Sequence, residues 1–248
     1  MLRSMSCLCC LCRPGFESEL AAELMDQGLE GFVQARPGSG LVVLQVPGGP
    51  EPVDLARRLR ARELVFARQA FAADAVLENL PVGDRVGPIV EALTRLSDGA
   101  KELLCESPDD DAGRELRGFV RSVEKPLIRA LKKEGWLRPS DERCALRAHV
   151  CFRESSRAWV GVAFLGDSAP WPGGIPRLRQ SREAPSRSAL KLDEGLLRLL
   201  SEEERKRWLR EGMRAVDLGA APGGWSWLLL RRGLQVVAVD NGPLEATL

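Results

Sequence analysis

The chain has 248 residues, 44% hydrophobic and 29% charged, which is the balance of a globular protein and excludes a disordered one. No apolar run reaches the roughly 20 residues a helix needs to cross a bilayer, so a helical membrane span is excluded. With 36 Lys and Arg against 35 Asp and Glu, the net charge of +1 excludes polyanion binding through bulk charge, and any such contact depends on local segregation of cations.

Seven cysteines stand at Cys7, Cys9, Cys10, Cys12, Cys105, Cys144 and Cys151, an odd number without a regular framework, which fits a reducing cytoplasm. Four of them crowd into residues 7–12. One strand cannot wrap four thiolates around a tetrahedral ion, and no second pair follows nearby, so a metal site is disfavoured. With Leu8 and Leu11, the segment is predicted to be a buried first strand in which thiols act as small apolar groups. A secretory leader is rejected because the stretch ends in Arg13-Pro14-Gly15 without a small-residue cleavage site.

Residues 16–25 carry Leu20, Leu24 and alanines at helical spacing, ended by Gly28. A hairpin is predicted from 31–35 and 41–46 around Pro37-Gly38-Ser39-Gly40, followed by a helix over 52–60 and a strand over 64–71. The resulting β-α-β-β-α-β order is that of a ferredoxin-like unit. After Asn79-Leu80-Pro81 come a helix over 89–96, a short strand over 102–106 and a long helix over 113–133, for which Asp109, Asp110 and Asp111 offer acidic caps.

That long helix carries Leu116, Phe119, Val120, Val123, Leu127 and Leu131 on one side and Arg114, Arg117, Arg121, Lys125, Arg129 and Lys132 on the other. The basic ridge is either an RNA contact or an ordinary solvated face, partly offset by Glu115, Glu124 and Glu134. Pro126 lacks an amide donor and is expected to kink the ridge or start a second helix. Residues 144–152 and 158–164 alternate as paired strands, and the Gly- and Pro-rich 166–176, with Trp171, is a linker or an ordered loop. Basic residues then crowd over 177–214.

Residues 213–218 form a short apolar strand running into Asp217-Leu218-Gly219-Ala220-Ala221-Pro222-Gly223-Gly224-Trp225, after which 227–230 continue as a helix. In an open α/β sheet, ligands sit at the carboxyl ends of strands, and glycines there let the backbone approach them. The next strand, over 234–239, ends in Asp240, placed to accept hydrogen bonds from ribose hydroxyls. The turn is not the G-x-G-x-x-G of dinucleotide sites and lacks the Lys-Ser/Thr ending of a P-loop. S-adenosylmethionine has no phosphates to cradle, and a loop with Pro222 and small residues suits its amino-acid and sulfonium portion. Upstream, 184–194 opens a helix that Ser186 or Ser188 can cap, and Lys191 within it can be an ordinary solvated lysine.

The strings S-R-S-A-L-K-L-D-E over 186–194, D-L-G-A-A-P-G-G-W over 217–225 and V-D-N-G-P over 239–243 resemble the RlmM-type 23S rRNA cytidine 2'-O-methyltransferases, relatives of the FtsJ fold. Leu11-Cys12-Arg13-Pro14-Gly15-Phe16-Glu17, Phe66-Ala67-Arg68-Gln69 and Gly174-Ile175-Pro176-Arg177-Leu178 extend the resemblance over nearly the whole chain. It implies an α/β and α+β multidomain protein. The expected parts are a ferredoxin-like N-terminal domain over 1–78, a THUMP RNA-binding domain over 79–166, and the first part of a Rossmann-like class I methyltransferase domain over 167–248.

The same resemblance implies S-adenosylmethionine as cofactor, 23S rRNA as partner, a cytoplasmic location and no metal, with a monomer as the expected state. It places Ser188, Ala221, Pro222, Gly223, Gly224 and Asp240 on the cofactor. Lys191 matches the first lysine of a Lys-Asp-Lys-Glu tetrad, where it orients or stabilises the attacking 2'-oxygen while a later lysine is the base. A lysine serves as base near neutral pH only where desolvation and neighbouring charge lower its pKa. Position 221 is alanine where relatives can carry cysteine, a change of little expected effect.

The chain stops at Leu248, whereas a class I sheet has several more strands, so the polypeptide alone is expected to bind cofactor weakly and not to methylate. Two other readings are a non-catalytic RNA-binding protein with a vestigial stub and a THUMP enzyme acting on tRNA. Against the latter, the 186–194 string argues for 2'-hydroxyl chemistry.

Overall fold

Side-chain alternation across β1 (Met5–Cys12) organises the first part of the molecule. Leu8, Cys10 and Cys12 point to one face, where α1 (Glu17–Asp26) and α2 (Pro52–Arg58) bring Leu20, Leu24 and Leu55 onto them. Cys7, Cys9 and Leu11 point to the other, beside Phe71 and Cys151. The thiols of the N-terminal cluster are therefore divided between two buried faces, and burial pushes the Cys12 thiol up to about 12 and raises that of Cys10. The computed structural model describes residues 5–59, 61–141 and 143–245, and the chain divides into two compact units between Ile175 and Pro176.

In the first unit, β2 (Phe32–Ala35), β3 (Leu41–Pro47) and β4 (Ala67–Leu77) join β1 in the antiparallel order β2-β3-β1-β4, the ferredoxin-like arrangement. The buried Glu17 at the start of α1 ties this unit together. Its carboxylate accepts hydrogen bonds from the amides of Gly15 at 3.0 Å and Gly40 at 2.8 Å. Burial alone would raise its pKa, but the amides, Gly40 foremost, outweigh it and hold the group below the usual value.

β4 runs on to Leu77, beyond the strand predicted over 64–71, and its far half pairs with β7 (Arg157–Phe164), with Ala72 opposite Val162 and Leu77 opposite Ala158. The sheet continues through β6 (Leu146–Glu154) to β5 (Glu102–Glu106), giving the seven-stranded order β2-β3-β1-β4-β7-β6-β5. A single sheet thus crosses the division expected at residue 78. Local alternation marks a strand but does not say which distant strand will satisfy its open edge.

On this added half, α3 (Val86–Leu96) and α4 (Asp111–Lys133) pack Ile89, Leu93, Val123, Leu127 and Leu131 against Val150, Phe152 and Val160. Because Ala72 faces the same way as Val162, these helices lie on the sheet face that α1 and α2 cover. Asp110 caps α4 by accepting from the Gly113 amide at 2.9 Å. Of the two outcomes expected at Pro126, the start of a second helix is not the one adopted: α4 runs through the proline as one element. Burial of a continuous apolar stripe on both sides of the proline outweighs the one hydrogen bond it cannot make.

The opposite sheet face is crossed by the 166–175 loop, which is ordered and contains a 3-10 turn (Pro172–Gly174). Its backbone is satisfied by side chains of the sheet. Gln69 bonds both the amide and the carbonyl of Ala169, and Arg147 donates to Ser168 and Glu102. Glu106 accepts from the Gly173 amide at 2.7 Å and pairs with His149 Nδ1 at 2.8 Å, the imidazole being stacked on Phe71. A loop can be buried only when its polar groups are met in this way.

The second unit contains α5 (Ser188–Leu199), α6 (Glu202–Trp208), β8 (Arg214–Leu218), α7 (Gly224–Arg231) and β9 (Gln235–Val239). β8 and β9 are parallel, with Asp217 opposite Ala238, the β-α-β arrangement of a Rossmann-like sheet. Val216, Leu218, Val237 and Val239 are exposed on one side of it. Among the described residues no helix is long and apolar enough to cross a membrane, and no group of three His, Cys, Asp or Glu is placed to hold a metal.

Candidate functional site

At the end of β8 the chain turns through Gly219 at φ 81°, passes a cis Ala221–Pro222 bond and reaches Gly223 at φ 109°, from which α7 starts. The positive φ values at 219 and 223 are ones that glycine adopts without steric cost. The amides of Gly219 and Ala220 donate to the Val239 carbonyl, and the Pro222 carbonyl accepts from the Glu245 amide at 3.1 Å. The turn is thereby fastened to the carboxyl end of β9.

Asp240 closes that end. One carboxylate oxygen accepts from the Ala221 amide and the other from the Gly242 amide, each at 2.8 Å. The Gly242 amide, then that of Ala221, holds the carboxyl below the usual Asp value, so Asp240 is an exposed carboxylate with lone pairs left for further donors. Beneath the turn lies a second acid, Asp217, buried and accepting from Ser226 Oγ of α7 at 2.8 Å. The first amides of α7 lack partners within the helix, so the turn presents donors beside an acceptor.

The first turn of α5 meets this structure. A Cβ at Gly224 would lie 2.3 Å from Ser186 Oγ and 2.4 Å from Ser188 Oγ. The two hydroxyls share a 2.5 Å hydrogen bond, and Trp225 Nε1 donates to the Ser188 carbonyl at 3.1 Å. Farther along, Asp193 of α5 pairs with Arg232 just after α7, and Glu183 pairs with Arg231. Ser188, Ala221, Pro222, Gly223, Gly224 and Asp240 therefore belong to one linked cluster. Lys191 does not: it stands one helical turn after Ser188, is exposed, and makes no ion pair among the described residues.

Three family models match this chain. The RlmM ferredoxin-like domain covers residues 5–71, the N-terminal part of ribosomal RNA large subunit methyltransferase M covers 84–164, and the FtsJ-like methyltransferase covers 184–247. The ribosomal RNA large subunit methyltransferase M of Xanthomonas axonopodis pv. citri is 48% identical over 97% of this chain and 70% of its own length. The chain belongs to the ribosomal RNA large subunit methyltransferase M family. The protein of the same name from Xanthomonas oryzae pv. oryzae is 47% identical over 98% of this chain, again 70% of its own length. Among solved structures, TrmN from Thermus thermophilus aligns with a TM-score of 0.41 and 23% identity, over 96% of this chain and 66% of that one.

In this methyltransferase family member, every residue of the linked cluster falls within the FtsJ-like match. Sequence reasoning assigned no role to the Asp217–Ser226 pair or to the Trp225 indole. Asp217 was visible in the D-L-G string, but its partner lies nine positions on, in a helix, at a spacing no periodicity reveals. The basic ridge of α4 is also divided. Arg114 and Arg117 pair with Asp109, whereas Arg121, Lys125, Arg129 and Lys132 are exposed cations without an ion pair among the described residues.

Proposed function

We propose that this chain serves S-adenosylmethionine-dependent 2'-O-methylation of a cytidine ribose in 23S rRNA, in the cytoplasm. In this reading residues 1–78 are the ferredoxin-like segment, 79–166 the THUMP-type RNA-binding segment and 167–248 the methyltransferase segment. The observation that carries the cofactor reading is the 219–224 turn fastened to Asp240. The donor set fits the group: an ionised, exposed carboxylate suits ribose hydroxyls, and the free amides at the start of α7 suit the carboxylate of the amino-acid portion. When bound, the cofactor supplies a methyl group made electrophilic by its sulfonium.

Ser188 would contact the cofactor from α5. Lys191, as an ammonium, would orient the 2'-oxygen and stabilise negative charge on it as its proton leaves. Arg121, Lys125, Arg129 and Lys132 recur along α4 and suit contacts to RNA phosphates, which position a substrate without reading its sequence.

Isothermal titration of S-adenosylmethionine into the chain tests the cofactor reading. Weak binding is expected, lowered about tenfold by Asp240→Asn through loss of a charge-assisted hydrogen bond; absence of binding overturns it. A chimera carrying the part of the Xanthomonas relative that this chain does not match is then assayed with labelled cofactor on unmodified 23S rRNA. Label on a ribose 2'-oxygen supports the proposal, and label on a base refutes it. A second reading, a non-catalytic RNA-binding protein, is favoured by the exposed cations Arg121, Lys125, Arg129 and Lys132 of α4. Tight rRNA binding without any cofactor binding would select it.

A further inference from the structure

The three glycines of the cofactor turn, Gly219, Gly223 and Gly224, are not equivalent. Gly219 and Gly223 have positive φ, but Gly224 does not, and as the first residue of α7 it occupies a position where alanine is the better helix former. The space its missing side chain leaves is not open to a ligand. It is filled by the start of α5 and the residue two before it: Ser186 Oγ and Ser188 Oγ would both be under 2.5 Å from a Cβ, and the Ala189 amide nitrogen would be at 3.2 Å.

The first turn of α5 needs such a seat. Arg187, at its start, supplies no side-chain cap, and Ser186 Oγ instead accepts from the Ser188 amide at 3.3 Å while sharing its other hydrogen bond with Ser188 Oγ. The next residue of α7 grips the same place. Trp225 is 45% exposed, and its Nε1–H reaches the Ser188 carbonyl 37 positions away in sequence. Two adjacent residues of α7 thus converge on Ser188, one by absence of a side chain and one by a directed hydrogen bond.

We infer that Gly224 and Trp225 are positioning residues that seat the first turn of α5 on the start of α7, and so set where Ser188 and, one turn on, Lys191 stand relative to the cofactor turn. The functional consequence rests on the reading of Ser188 and Lys191 proposed above; the seat itself exists without cofactor. The missing side chain at Gly224 accordingly makes room for α5 rather than for the ligand.

Hydrogen exchange of the unliganded chain, followed by mass spectrometry on peptides spanning 186–195, tests the seat. G224A is expected to speed exchange there about tenfold and W225F about threefold, as local opening becomes easier, with far-ultraviolet circular dichroism unchanged. Adding S186A and S188A to G224A removes the clash and returns exchange to that of the S186A/S188A chain. Were Gly224 only a helix-start residue, alanine would slow exchange, and that result, or no change in both single variants, overturns the inference. Cofactor titration of the same proteins separates the two claims. Altered exchange with no binding by the unmodified chain leaves the seat standing and removes the functional reading. Binding by the unmodified chain with exchange and affinity untouched in G224A and W225F does the reverse.

Discussion

The sheet made of β1 to β7 and the sheet made of β8 and β9 are stabilised in different ways. In the first unit, Phe71, Phe152, Leu8, Leu44, Leu127 and Leu131 are fully buried, helices cover one face, and a loop bonded to side chains of the sheet crosses the other. In the second, the buried apolar side chains among the described residues are Pro176, Ala189, Ala220 and Leu234, while Val216 is 63% and Leu218 76% exposed. Its turn is nevertheless well defined, because amide-to-carbonyl and amide-to-carboxylate bonds fasten it to β9. Hydrogen bonds and glycines can specify a motif locally; cooperative stability needs apolar area removed from water.

That contrast can be broken by substitution. Phe152→Ala, which removes a buried ring edge-on to Phe119, is expected to destabilise the first unit by about 3–5 kcal/mol in urea unfolding. A loss under about 1 kcal/mol would mean that this core is not what holds the unit.

Glu17→Gln replaces a buried carboxylate that two amides bond, and a loss of about 2 kcal/mol at neutral pH is expected. Since the folded pKa is depressed, the stability it contributes is present above the unfolded value near 4.5 and disappears as pH falls through the folded one. Unfolding curves at stepwise lower pH should therefore bring the variant and the original chain together; a gap that stays constant below that range would contradict the assignment.

In the second unit the expected effects are smaller. Ser226→Ala takes away the hydroxyl that Asp217 accepts from and should cost about 1–2 kcal/mol, visible as a lowered midpoint for that unit. Val237→Ala, on the exposed strand face, should change stability by less than about 0.5 kcal/mol while reducing the binding of an apolar dye. A large stability loss there would show that the face is covered in solution.

Much of the fold was legible in local pattern. The buried first strand of Cys7 to Cys12, the apolar stripe of α4, the Asp110 cap and the glycine-rich turn followed by Asp240 were each read within a few residues of where they lie. The four cysteines from Cys7 to Cys12 were likewise read as packing groups of a buried strand, and they are buried on its two faces. What escaped involved partners far apart in sequence: Leu77 with Ala158, Gln69 with Ala169, and Trp225 with Ser188.

By itself the amino-acid order determined periods, caps and turns, because these depend on the steric and hydrogen-bonding preferences of residues within one or two helical turns of each other. Only the tertiary structure decided that β4 would carry one sheet across two segments, that Pro126 would stay inside a helix, and that Gly224 would make room for two serines. Those outcomes rest on which surfaces meet when the chain closes on itself, and apolar burial, which drives that closure, has no direction: the residue order marks which face is to be buried but not what will cover it.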